Sequence, residues 1–139
     1  MKKRIGSLTI LALVAGLVVT ALAPAFASGD NTATADTTVT MRYKARKDKM
    51  VGRVASVREA CVPKRRVRVY KITRRGKVAI GSAVTNAEGR WRVPLANARG
   101  KYGARAVSRT ITLDSGSNGY GDLWKHLLEC KSGKTTVRV

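Results

Sequence analysis

Histidine occurs once in this chain, at position 126, phenylalanine once, and acids number eight against 28 lysines and arginines. Each scarcity excludes something. A single histidine rules out histidine-rich metal sites and leaves a Ser-His-Asp triad one possible base. Serines stand at 108, 115, 117 and 132, yet no Gly-x-Ser-x-Gly elbow accompanies them. The acids at 48, 59, 88 and 129 are scattered, so no carboxylate pair for acid–base work is visible. The stretch 114–122 echoes a calcium loop, with Asp114, Asn118, Gly119 and Asp122 in register. It fails where Gly116 and Lys125 replace acidic ligands. No metal and no cofactor is expected. A hydrolase using His126 stays an alternative, but a lone histidine between Lys125 and Leu127 reads more simply as a surface residue. Long apolar runs are also missing beyond residue 23, so no transmembrane segment is expected in the rest of the chain.

What is present begins with an export signal. Lys2, Lys3 and Arg4 form a positive n-region, residues 8–23 are apolar, Pro24 follows, and Ala25-Phe26-Ala27 has the small-x-small form of a cleavage site. Residues 1–27 read as a secretory signal peptide cleaved before Ser28, which places the product outside the cell. The apolar run is short for a bilayer span of about 20 residues. Three basic residues and no acid leave with the signal, so the remaining 112 residues carry a net charge of +17. That length fits one domain. An even pair of cysteines in an exported chain implies one disulfide, Cys61–Cys130. Closing a loop of about 70 residues is worth roughly 4 kcal/mol in the chain-entropy picture.

Residues 28–38 are small and polar and read as a flexible leader ahead of a domain over 39–139. Residues 39–49 suit a short edge strand or a basic arm. Strands are expected over 50–57, 65–72, 78–85, 90–93, 101–110 and 134–139, with alternation as their signal. Val67 and Val69 face one way and Arg66, Arg68 and Tyr70 the other; Trp91 and Val93 oppose Arg90 and Arg92. The turn Thr85-Asn86-Ala87-Glu88-Gly89 predicts a hairpin between its flanking strands. Residues 114–122 read as a surface loop, and 123–129 as two turns of helix capped by Asp122. Six or seven strands with turn signals every 8–12 residues predict an all-β antiparallel sandwich.

The spacing Gly52-x-Val54-x-Ser56, Cys61, Val67-x-Val69-Tyr70, Thr85-Asn86-x-x-Gly89-x-Trp91, Gly100-x-Tyr102-x-Ala104 and Cys130 resembles small exported proteins with a carboxypeptidase-regulatory-like, or prealbumin-like, β-sandwich. The resemblance covers about residues 49–139. It implies a Greek-key sandwich of about seven strands serving as a non-catalytic accessory or adhesive module. The transthyretin branch of that fold includes a purine-pathway hydrolase, whose C-terminal Tyr-Arg-Gly-Ser motif is absent here.

The basic surface is the remaining feature. Residues 42–53 and 64–77 hold 14 of the 25 basic residues that follow the signal. Too few acids exist to neutralise them, and self-repulsion at +17 costs stability. Lys64, Arg65, Arg66, Arg68, Arg74, Arg75 and Lys77 are therefore expected to form a patch for acidic cell-surface polymers or glycans, with non-specific nucleic acid as a further partner. The reading is a monomeric, secreted, cationic binding module without enzyme activity. The alternatives are an antimicrobial or membrane-acting protein, and the hydrolase.

Overall fold

The computed structural model describes residues 31–117, 120 and 123–139. The signal sequence over 1–27, its cleavage site and the proposed cap Asp122 lie outside them. Ten strands follow in chain order: β1 (Asn31–Ala35), β2 (Thr37–Lys44), β3 (Lys49–Ser56), β4 (Arg66–Thr73), β5 (Gly76–Val84), β6 (Arg90–Pro94), β7 (Lys101–Ala106), β8 (Arg109–Ser117), β9 (Leu123–Cys130) and β10 (Gly133–Arg138). Two short 3-10 turns, Ala45–Lys47 and Glu59–Cys61, join β2 to β3 and precede β4. The all-β class agrees with the alternation; the strand count is higher than expected.

A three-stranded sheet β2-β3-β6 and a four-stranded sheet β10-β7-β4-β5 face each other across the core. Their inner faces come from every second residue. Val39, Met50, Val54, Trp91 and Val93 line one side, and Val67, Val69, Tyr102, Ala104 and Ala106 the other. Arg66, Arg68, Arg90, Arg92 and Arg105 occupy the alternate, exposed positions of the same strands.

The third sheet, β1-β9-β8, grows out of one end of this sandwich. β1 runs on into β2, β7 into β8 and β9 into β10, so each of its strands continues one from the sandwich. Ala35, Leu128 and the disulfide Cys61–Cys130, with Ile111 against them, make its small core. The disulfide agrees with the sequence reading, its Cα atoms 5.5 Å apart.

Four expectations are corrected. Residues 123–129 form β9, not a helix. A two-turn helix has no stability of its own, whereas Thr110, Ile111 and Thr112 offer a β-branched ladder; Leu128 and Cys130 are the buried residues of β9, a period of two. Residues 31–38 are not a leader: β1 pairs in parallel with β9 and buries Ala35, and β2 starts at Thr37. Residues 114–117 extend β8 rather than beginning a loop. Finally, residues 81–93 are not a paired hairpin. The turn forms as read, with Gly89 at φ +77° and Asn86 Oδ1 accepting from Arg90 N at 2.8 Å. Its arms then separate, β5 pairing with β4 and β6 with β3, because Trp91 and Val93 must enter the core from the opposite sheet. Thr85 secures the arch through backbone bonds with Lys64 and Arg65.

Candidate polyanion interface

The outer face of the sheet β10-β7-β4-β5 is built in rows by strand register. Lys134, Arg105 and Arg68 are direct cross-strand neighbours, a row of three cations across β10, β7 and β4. Four residues along lies a second charged row, in which Arg138 pairs with Lys101, Lys101 with Ile72 and Ile72 with Lys77. Between them stands a row without charge: Thr136, Gly103, Tyr70 and Ala79. Neighbouring strands are about 4.8 Å apart, and residues two apart on one strand about 7 Å. The cations thus form two rails flanking an aromatic strip.

Gly103 decides where that strip lies. A Cβ at this position would fall 2.3 Å from the Tyr70 ring, so the absent side chain is the seat of the tyrosine. Lys77 holds its ammonium 4.9 Å from the centroid of the same ring. The ring is held by its contact with Gly103 and by the cation–π interaction with Lys77.

Like charges placed directly opposite on a sheet repel, by about 1 kcal/mol for a pair 4 Å apart in water. No acid lies on these rows. Among the described residues the one ion pair is Lys131 with Asp36, at 3.5 Å and off this face. The surface is therefore a repulsive one that a polyanion would relieve.

The seven residues expected to form a patch divide. Arg66, Arg68 and Lys77 share the outer face, and Arg74 and Arg75 sit exposed in the turn between β4 and β5. Lys64 is exposed at the other end of β4, in a left-handed conformation with φ +54°. Arg65 does not belong to any surface: its exposure is 0%. Its Nη1 donates to the carbonyl of Cys61 at 3.0 Å and to Thr37 Oγ1 at 3.2 Å; its Nε and Nη2 donate to Val107 O at 3.2 and 2.8 Å, and Nη2 also to Lys131 O at 3.0 Å. Burial, with the nearby Arg109 charge, pushes its pKa below the ordinary guanidinium range. Sequence inspection missed Lys101, Arg105, Lys134 and Arg138 as members of this face. Their alternation was visible, but only register sets them beside β4.

His126 lies exposed on β9, opposite Asp114, with its ring 4.9 Å from that of Trp124. Ser115 pairs with Lys125 and Ser117 with Leu123. Asp114 uses Oδ1 to accept from the Ser115 amide at 2.8 Å. No group of three His, Cys, Asp or Glu side chains gathers among the described residues. No helix there is long and apolar enough to cross a membrane. Compared with known proteins, the chain matches no family model, no curated protein and no solved structure.

Proposed function

We propose that this is an exported, non-catalytic module that binds linear acidic polymers of the cell surface, such as acidic glycans, on the outer face of the sheet β10-β7-β4-β5. The observation that carries the reading is the row Lys134–Arg105–Arg68, three cations in direct register with no acid beside them. A stability-driven surface would interleave opposite charges there. Tyr70, bedded on Gly103, adds an apolar platform for a sugar ring between the two charged rails. The resemblance to carboxypeptidase-regulatory-like domains favours the same accessory role. Export is supported by the N-terminal signal pattern and by the disulfide.

Retention on heparin and on an uncharged sugar matrix, each eluted with a salt gradient, tests the reading. Late elution from heparin alone is expected, moving to lower salt in an Arg68→Glu/Arg105→Glu variant that melts like the parent. Coincident early elution from both matrices would refute it. Competition by duplex DNA as effective as by acidic glycan would redirect the reading to nucleic acid, because phosphate-driven binding is sequence-independent and salt-sensitive.

A second reading rests on the pair β8–β9, where Leu113, Leu123 and Trp124 are exposed close to Lys125. Leu123 and Lys125 share one face of β9 and Trp124 lies on the other, and exposed apolar side chains next to a cation suit the surface of an anionic membrane. Leakage from anionic vesicles at low salt, abolished by Leu123→Asp, would favour it.

A further inference from the structure

The other outer face of the sandwich is as basic as the first. Register places Arg42, Val51 and Arg92 in one row across β2, β3 and β6, and Thr40, Arg53 and Arg90 in the next on the same side. Lys44 and Lys49 continue the face beyond them. These strands carry six cations outward and no acid at all.

Here the surface is not flat. An open groove of about 1090 Å³ is bounded by Arg42, Lys44, Arg53, Arg90 and Arg92, with the edge of β5 contributing to its wall. Arg53 is held in place, its Nε donating to the carbonyl of Glu88 at 2.9 Å and its amide to Thr40 Oγ1 at 3.1 Å. A guanidinium fixed before binding loses less freedom when an anion arrives. Five cations around one cleft, with Arg53 already held in place, make a site for an anionic chain rich in oxygen acceptors.

We infer that this groove is a second polyanion site, so that one molecule holds two acidic polymer chains on opposite faces of the sandwich and cross-links them. The inference rests on the proposed polyanion reading and extends it from a one-sided binder to a bridge. The hydrophobic core separates the faces, the two sheets lying about 10 Å apart. A short fragment therefore reaches one face only, whereas long chains are gathered into a network.

The test is calorimetric titration with a short heparin fragment, with light scattering on addition of full-length heparin. The parent protein is expected to take two fragments per molecule and to scatter strongly near charge equivalence. Arg42→Glu/Arg92→Glu is expected to leave one site, on the sheet β10-β7-β4-β5, and to abolish scattering. Arg68→Glu/Arg105→Glu is expected to leave the groove site alone. Arg46→Glu/Lys47→Glu, with the same charge change in the turn between β2 and β3, is expected to keep both sites. Thermal melts of all variants establish that each is folded. One fragment per parent molecule, or two sites surviving Arg42→Glu/Arg92→Glu, would overturn the bridge while leaving a one-sided binder. No fragment bound by the parent would overturn the polyanion reading itself.

Discussion

Arg65 donates from both Nε and Nη2 to a single oxygen, the carbonyl of Val107, at 3.2 and 2.8 Å. Val107 lies where β7 leaves the sandwich for β8. The same guanidinium reaches Thr37, at the start of β2, and Lys131, between β9 and β10. All three connections into the third sheet are thus gripped by one side chain. Its bond to the carbonyl of Cys61, together with that to Lys131 beside Cys130, brackets the disulfide.

Arg65→Met is expected to destabilise the fold by about 3 kcal/mol or more, because it strands buried carbonyls of Cys61, Val107 and Lys131. Arg65→Lys should recover little, since an ammonium cannot spread donors over a planar fork. Denaturant unfolding measures both. The folded-state pKa of Arg65 is lowered, so the unfolded chain binds more protons only between that value and the ordinary guanidinium range. Stability from this group rises with pH only there, in strongly alkaline solution. The gap between the parent and Arg65→Met is therefore expected to stay constant from pH 5 to pH 9.

Removal of the disulfide, as Cys61→Ala/Cys130→Ala, is expected to cost roughly 4 kcal/mol, as a cross-link spanning 69 positions constrains the unfolded chain strongly. The loss is not uniform. Cys61 and Cys130 are half of the four buried residues in the small core beneath β1, β8 and β9, so hydrogen exchange should quicken there before it does in β4 and β7.

Gly103→Ala places a methyl group against the Tyr70 ring and is expected to push it off the face. A stability loss of about 1–3 kcal/mol should follow, as for other overpacked sites. Net charge is unchanged, so weaker binding of an acidic glycan with an unaltered salt slope would show that Tyr70 contributes stacking; equal affinity would restrict the site to the cations.

Asn86→Ala should cost about 1 kcal/mol through loss of the bond to the Arg90 amide. Gly89→Ala should cost more, because φ is +77° and a Cβ would meet the carbonyl oxygen of Val54. Thermal melts of the two variants rank them directly.

Much of this was readable from residue order. The alternation of Val67 and Val69 with Arg66 and Arg68, and of Trp91 and Val93 with Arg90 and Arg92, stated which residues go inward before any partner strand was known. The helix expected at 123–129 failed for a physical reason. Leu123 and Leu127 have helical spacing, but it was the ladder from β8 and the anchor at Cys130 that chose the period. β1 shows the same limit, since Asn-Thr-Ala-Thr-Ala has almost nothing to bury and is a strand only because β9 offers it hydrogen bonds.

Sequence alone therefore determined the class of fold, the disulfide partners and the excess of positive charge, because these follow from side-chain periodicity and composition. Tertiary structure decided which cations share a face, since Arg68, Arg105 and Lys134 meet only through cross-strand register. It also removed Arg65 from that set. Arg65 is in phase with Val67 and Val69, but a guanidinium can follow them inward only because the Thr37 hydroxyl and the carbonyls of Val107 and Lys131 are brought to it from three distant connections.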